Sequence, residues 1–279
     1  MSDALSISSL LSCTTTELTG YSDSPRLDAE LLLCHCLKKP RTYLYTWPEH
    51  TPDEKQLALY KSLSDRRKQG EPVAYLTGSR EFWTASFDVT PDTLIPRPDT
   101  EILVEQSLAK LADTQEPFLD LGTGSGVIAI CIALERPEIT VHATDISEAA
   151  LKVARTNAEK LGAKVHFISS NWFENLHHSY GVIASNPPYI AKDDPHLQLN
   201  GLPYEPITAL RSCENGFADI TAIIKTSPTF LKPCGWLLLE HGQSQGERTR
   251  DIMLERGFGK VQTVQDLSGN DRVTLGQIT

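Results

Sequence analysis

Two short stretches of this 279-residue chain hold residue types whose spacing does chemistry. The first is Asp120-Leu121-Gly122-Thr123-Gly124-Ser125-Gly126, set between an apolar strand-like run over 118–121 and an apolar helical pattern over 127–134. Glycines at alternate positions let the backbone turn tightly and approach a ligand with no Cβ in the way, and the helix that follows offers free N–H groups. Gly124-Ser125-Gly126-Val127-Ile128-Ala129 also satisfies the dinucleotide fingerprint, so the glycines alone leave the ligand open. Asp145, about 20 residues on, can hold a ribose in either case. Asp120 tips the balance, because a carboxylate facing that loop attracts an ammonium group and repels a pyrophosphate. A ligand with an amino acid at one end and a ribose at the other suits both acids: S-adenosyl-L-methionine.

The second stretch is Ser185-Asn186-Pro187-Pro188-Tyr189, directly after the apolar run 182–185. The prolines remove backbone donors and push each preceding residue into extended geometry, which leaves rigid acceptors. An amide or aromatic amine is a poor nucleophile until its N–H bonds are gripped and its lone pair is aimed. Asn186 Oδ1 and the Pro187 carbonyl can each accept one of those hydrogens, and Tyr189 can cover the planar group. Positioning then replaces basicity.

Both stretches need a scaffold that brings loops to one edge. The first ~70 residues read as short helices, among them 25–37, with Pro25 in its first turn, and 53–68. Residues 73–75 and 80–89 carry the alternation of short strands, with Thr77-Gly78-Ser79 as a turn, and form a connector. From Pro98 onward strands and helices alternate: helix to Leu111, strand 118–121, helix 127–134, strand 140–144, helix 147–161, strands 165–168 and 182–185, helix 220–231, strand 236–240, helix 246–256 and strands near 261–264 and 272–277. Repeated β-α units with apolar strands predict a parallel sheet covered on both faces, whose carboxyl edge is where such folds bind ligands.

Composition excludes other classes. Apolar residues make up 40% and charged ones 22%, an ordinary globular balance. A net charge of −10 argues against gripping nucleic acid or an anionic membrane by bulk charge. No apolar run reaches the ~18–20 residues that span a bilayer. The first basic residue is Arg26, so residues 1–13 lack the charged head of a secretory signal. The six cysteines form no C-x-x-C pair and fit reduced thiols, which places the protein in the cytoplasm. The histidines and cysteines show no zinc-like spacing, so no metal is expected, and Ser185 lacks the G-x-S-x-G elbow of a hydrolase.

The D-x-G-x-G-x-G and N-P-P-Y pair resembles the class I S-adenosylmethionine-dependent amino-methyltransferases. The segments Gly78-Ser79-Arg80-Glu81-Phe82-Trp83, Leu94-Ile95-Pro96-Arg97-Pro98-Asp99-Thr100-Glu101 and Leu238-Leu239-Glu240-His241-Gly242, with the helical N-terminal part, narrow the resemblance to the release factor glutamine methyltransferase family from end to end. It implies an α/β fold: a Rossmann-like class I methyltransferase domain over 98–279, a small all-helical substrate-recognition domain over 1–70 and a β-hairpin connector over 71–97. It further implies that the acceptor is the glutamine amide in the Gly-Gly-Gln loop of class I peptide chain release factors. Asp120, Gly122, Thr123, Gly124, Ser125, Gly126, Asp145, Trp172 and Asn186 would then contact the cofactor. Asn186, Pro187, Pro188, Tyr189 and Phe82 would contact the glutamine, with Asn186, Pro187 and Tyr189 catalytic. The chain departs from the family in carrying Asn171 where an acid usually precedes the tryptophan. An adenine amino-methyltransferase acting on DNA or RNA uses the same Asn-Pro-Pro-Tyr logic but must extract a base and grip phosphates, which an acidic chain suits poorly. An NAD-binding oxidoreductase or a non-catalytic binding module is the reading from another class.

Overall fold

The computed structural model describes residues 5–198 and 201–278. The chain divides into two compact units: one runs to Ser79 and takes in Leu202–Tyr204 from a later loop, and the other spans Arg80–Leu197 and the rest of the chain from Glu205.

In the first unit, local signals set the helices. Ser6 caps α1 (Ile7–Leu18) by accepting the Ser9 N–H, and Pro25 opens α2 (Pro25–Leu37), which ends at Lys38 in a left-handed conformation. A short α3 (Arg41–Thr46) follows, and a capping box of Asp53 and Gln56 starts α4 (Glu54–Lys68). Ile7, Leu11, Leu18, Leu32, Leu33, Leu44, Tyr60 and Leu63 make its core. Within this unit the buried Glu30 is held by Arg26 at 2.7 Å, Arg41 at 2.6 Å and Tyr45 at 2.6 Å. One expectation is corrected here, because residues 73–75 lie in a helix, α5 (Val73–Thr77), and not in a strand. Pro72 at its N-cap and Gly78 at φ +73 are start and stop signals that outweigh the strand preference of Val73 and Tyr75.

A hairpin of β1 (Ser79–Phe82) and β2 (Ala85–Asp88) follows, of which all but Ser79 belongs to the second unit. It continues through α6 (Thr100–Leu111), β3 (Phe118–Leu121), α7 (Val127–Glu135), β4 (Val141–Asp145), α8 (Glu148–Leu161), β5 (His166–Ser169), β6 (Tyr180–Ser185) and β7 (Ile190–Ala191). After the short α9 (Ile207–Leu210), β8 (Arg211–Ser212) and α10 (Cys213–Gly216) come α11 (Ala218–Thr226), β9 (Leu231–Glu240), α12 (Gly246–Glu255), β10 (Phe258–Gln265) and β11 (Asp271–Ile278). The main sheet has the order β10-β11-β9-β6-β3-β4-β5.

Five neighbours, β9, β6, β3, β4 and β5, run parallel, as the sequence predicts. The sheet is nevertheless mixed: β11 inserts antiparallel between β9 and β10. The last two strands are joined by a tight turn in which Asp266 accepts the Ser268 and Asn270 N–H groups, and a turn that short returns the chain antiparallel. The helix expected over 220–231 also stops early, at Thr226, where Pro228 has no N–H to extend it and β9 begins at Leu231.

Alternation along the strands feeds two cores. Phe118, Val182, Ala184 and Leu238 pack on one face with residues of α6 and α7, while Leu119, Leu121, Ile183, Leu237 and Leu239 pack on the other with residues of α11 and α12. The register aligns Leu121 with Thr144 and Ser185, Ser185 with Leu239, and Asp145 with Ser169. The loops after β3, β4, β5, β6 and β9 therefore emerge side by side. Because α7 carries the chain from β3 to β4 on one side while β6 lies on the other, a crevice opens at the carboxyl end of β3.

Candidate active site

A cavity of about 440 Å³ occupies that crevice. Gly122 and Gly124 line it from the loop after β3, Asp145 from the end of β4, Trp172 from the loop after β5, and Asn186 and Pro188 from the loop after β6. The loop after β3 is pinned to the neighbouring strand, with the Gly122 and Thr123 N–H groups both donating to the Thr144 carbonyl at 2.8 and 2.9 Å. Gly122, Gly124 and Gly126 all have positive φ, and at Gly126 a Cβ would meet Ile130 Cδ1 at 2.8 Å and the Ala154 backbone at 3.3 Å. Glycine is required here by both conformation and space.

Asp145 joins this loop to the next helix. Its Oδ2 accepts the Gly124 N–H at 2.9 Å and its Oδ1 accepts the Ser147 N–H at 2.9 Å, where Ser147 caps α8. Burial raises its pKa, against the pull of these N–H donors. Each oxygen keeps a lone pair for a ligand hydroxyl, and the carboxylate lines the cavity.

Asp120 lies beneath the loop and is fully buried. Its Oδ2 accepts the Thr123 hydroxyl at 2.6 Å and the Ala129 N–H at 3.2 Å, while Oδ1 has no partner. Burial pushes this carboxyl up to about 7. A buried carboxylate with an orphaned oxygen favours an added cation, but Asp120 itself does not line the cavity.

Trp172 sits at φ +47, and its indole lies so close to the loop that a Cβ on Gly122 would be 3.3 Å from its Cζ3. Ser170 steadies this turn, donating to the Trp172 carbonyl at 3.0 Å and accepting the Asn175 N–H at 3.0 Å. Asn171 also lines the cavity, with its Nδ2 donating to Glu174 at 2.8 Å. Asp145, the Cβ-free glycine loop and the flat Trp172 indole line the cavity, and with the unpaired Asp120 oxygen beneath the loop they are groups of the kinds that suit S-adenosylmethionine.

In the second stretch, Asn186 Nδ2 donates to Thr100 Oγ1 at 3.2 Å, which leaves Oδ1 as the end of the amide available to a ligand. Pro187 is buried and Pro188 reaches the cavity wall. The Tyr189 carbonyl accepts Gln245 Nε2 at 3.2 Å, and burial raises its phenol, which senses Glu240, Arg272, Arg97 and Asp99.

The remaining expected residues stand behind the wall. Thr123 and Ser125 are buried, the first bonded to Asp120 and the second giving its carbonyl to Asn157 at 2.9 Å. Gly126 caps α7. Phe82 is 2% exposed and packs edge-on against Phe87 in the core, 6.1 Å between centroids, and does not line the cavity. Arg97 pairs with Glu205, a buried carboxylate that also accepts the Ile95 N–H at 3.0 Å. His241 is buried against Thr274, at 2.7 Å, and the Gly242 carbonyl, at 2.9 Å, a structural setting. Among the described residues no cluster of His, Cys, Asp or Glu could hold a metal ion.

Sequence reasoning missed the wall contributed by Pro91–Leu94 and by Pro206, Thr208, Ala209, Arg211 and Asp219. It also gave no role to Thr100, which accepts from Asn186 Nδ2.

Comparison with known proteins fits this geometry. Residues 9–78 match the family described as the PrmC N-terminal domain, and residues 98–200 the methyltransferase small domain. The chain is 46% identical over 278 residues to the release factor glutamine methyltransferase of Aliivibrio fischeri, covering 98% of both chains. It is 48% identical over 260 residues to that of Salmonella typhimurium, covering 92% of this chain and 94% of the other, and 46% identical over 258 residues to that of Escherichia coli, covering 92% and 93%. The chain belongs to the release factor glutamine methyltransferase family. Solved structures of low identity share its fold. The hMettl16 catalytic domain in complex with an RNA hairpin gives a TM-score of 0.57 at 16% identity over 81% of this chain and 82% of that one. The 16S rRNA N2 G1207 methyltransferase of T. thermophilus, with AdoMet and guanosine, gives 0.53 at 18% identity over 72% and 50%. As a class I methyltransferase of this family the protein uses S-adenosylmethionine, and the cavity at the β3–β6 crevice has the groups to hold it. No helix among the described residues is long and apolar enough to cross a membrane.

Proposed function

We propose that this methyltransferase acts on the side-chain amide nitrogen of the glutamine in the Gly-Gly-Gln motif of class I peptide chain release factors. The observation that carries the reading is Asn186: its Nδ2 is committed to Thr100 at 3.2 Å, so its Oδ1 is an acceptor at the cavity wall, one residue beyond the strand position aligned with Leu121.

Bound S-adenosylmethionine supplies an electrophilic sulfonium methyl group. The protein holds it through Asp145 at the ribose, Trp172 at the adenine, Asp120 toward the ammonium end and the Gly122–Gly126 loop between them. Thr123, Ser125 and Gly126 contribute by shaping that loop. Asn186 Oδ1 and the Pro187 carbonyl each accept one N–H of the acceptor amide, fixing its plane and directing the nitrogen lone pair at the methyl carbon. Pro188 and Tyr189 complete the surface on which the planar amide lies. No strong base is required, because the nitrogen proton becomes acidic as the new bond forms and stays hydrogen-bonded to Asn186 Oδ1 until solvent takes it.

A single glutamine cannot supply specificity, so the helical domain over 1–70 reads the shape of the release factor. A release factor as substrate supports a cytoplasmic location, and the acidic chain supports the absence of direct nucleic-acid binding. The adenine reading draws no support from a chain of net charge −10. Incubation with a release factor and cofactor, followed by mass spectrometry, tests the proposal: one added methyl on the loop glutamine supports it, and an unmodified loop refutes it.

A further inference from the structure

The Asn-Pro-Pro-Tyr loop is held from its two ends. At the start, Ser185 Oγ donates to the Leu121 carbonyl at 2.7 Å and Asn186 Nδ2 to Thr100 Oγ1 at 3.2 Å. Pro187 and Pro188 have no N–H, so the middle of the loop cannot tie itself down through backbone donors. Its position depends on what holds the next residue, Tyr189, whose carbonyl sits in a socket. Gln245 Nε2 donates to that carbonyl at 3.2 Å and to the Gly216 carbonyl at 3.4 Å. A Cβ built on Gly216 would run into the Tyr189 carbonyl oxygen, so only glycine admits the approach. Glu214, Asn215 and Gly216 all take left-handed backbone, at φ +53, +56 and +89, a costly run that brings this turn against the loop.

We propose that Gln245 is a positioning residue for methyl transfer, holding the Tyr189 carbonyl so that the Asn-Pro-Pro-Tyr loop presents its acceptors at the cavity wall. The inference rests on the reading of that loop as the grip on the acceptor amide. Gln245 is 7% exposed and stands at the N-cap of α12, yet its side chain makes no capping bond there. Instead its Oε1 accepts the Gly242 N–H at 2.9 Å, in the turn after β9 beside which the Tyr189 ring lies. The Gly242 N–H can only donate and the two carbonyls can only accept, so the partners themselves fix which end of the Gln245 amide faces the loop. One side chain thus secures both the backbone and the ring surroundings of Tyr189.

A carboxyl group has nearly the same shape as this amide but, when ionised, has no proton to donate. Gln245→Glu therefore keeps the Gly242 bond and sets a charged oxygen against two carbonyl oxygens, which drives the loop from its place. Once protonated, the same group has one O–H, and the bond to Tyr189 can form again.

The test uses the full-length protein with a release factor at saturating cofactor. Gln245→Glu should lower kcat roughly 10- to 100-fold at alkaline pH, the cost of a displacement of ~1 Å in a positioned group. The cofactor Kd and the KM for release factor should stay nearly unchanged. Burial raises a carboxyl pKa by several units, so the ratio of variant to wild-type kcat should climb as pH falls from about 8 to about 6. Glu240, His241, Arg97, Asp99, Arg272 and Asp271 are the charged or titratable groups around the junction, and they are common to both proteins, so the ratio removes their own titration. Gln245→Met should show the loss of kcat without the recovery. A Gln245→Glu protein with wild-type kcat throughout, a loss that does not recover as pH falls, or one carried by the cofactor Kd overturns the proposal. If Gln245→Glu does not fold, Gln245→Met decides: reduced kcat at unchanged cofactor Kd supports the proposal, and wild-type kcat overturns it. Asn186→Ala separates the two levels: undiminished turnover there removes the parent reading, whereas an inactive Asn186→Ala beside an unimpaired Gln245→Glu removes only this one.

Discussion

The Asp145 carboxylate accepts the Gly124 N–H at 2.9 Å, so one side chain at the end of β4 both shapes the glycine loop and faces the cavity it encloses. Asp145→Ala removes a loop tether and the acceptor for ribose hydroxyls together. Charge-assisted hydrogen bonds contribute about 1.5–3 kcal/mol each, so cofactor affinity should fall by at least ~10-fold. Calorimetric titration checks this, and an unchanged Kd counts against the ribose role. Asp145→Asn, which keeps the shape and one acceptor, should fall between the two.

Asp120 gives a pH dependence whose sign can be worked out. Its folded pKa is raised to about 7, above the unfolded carboxyl value of about 3.9. The folded protein therefore binds more protons than the unfolded chain between these values, and this contribution to stability is lost as pH rises through about 7. Asp120→Asn should gain stability over the wild type at alkaline pH, with the gap closing as pH falls; urea titrations at several pH values read the difference. An ammonium ligand demands the ionised form, so wild-type cofactor affinity should weaken below about pH 7 while Asp120→Asn shows a weaker, flatter profile.

Gly126 is confined by more than its φ of +88, since a Cβ there meets Ile130 Cδ1 at 2.8 Å and the Ala154 Cα at 3.3 Å. Overpacking of this kind costs about 1–3 kcal/mol, and Gly126→Ala should show it in denaturant unfolding. At Gly122 the obstacle is the Trp172 ring, so Gly122→Ala should affect cofactor affinity more than stability.

Phe82 separates a packing role from a pocket role. It is buried in the core beside Phe87, so Phe82→Ala should cost about 3–5 kcal/mol of stability. Phe82→Leu, which stays folded, should leave the KM for release factor unchanged. A raised KM at unaltered stability would return Phe82 to the acceptor pocket.

What the sequence made legible was local. An apolar strand running into Asp120-Leu121-Gly122, an acid ending the next strand, and Asn186-Pro187-Pro188-Tyr189 after a third each announce a loop at the carboxyl edge of a sheet, and the register brings them together. Residues 73–75 were misread because five residues between Pro72 and Gly78 are too few for a periodicity to form, and the caps prevailed. The reversed β11 was not legible, since strand order depends on which edge the last hairpin joins. Thr100 was missed for a related reason: it stands 86 residues before Asn186 in the chain, and only the fold makes them neighbours. Asp120 was expected to face the loop, and its depth beneath the loop was not legible.

The most direct measurement compares the wild type with Asn186→Ala on an unmethylated release factor at saturating S-adenosylmethionine, with the loop peptide weighed by mass spectrometry and cofactor binding followed in parallel. The wild type should add one methyl to the Gly-Gly-Gln glutamine, and Asn186→Ala should lose at least ~100-fold in rate, the cost of removing one preorganised hydrogen-bonding group, with cofactor still bound. Methylation by Asn186→Ala at the wild-type rate would contradict the account.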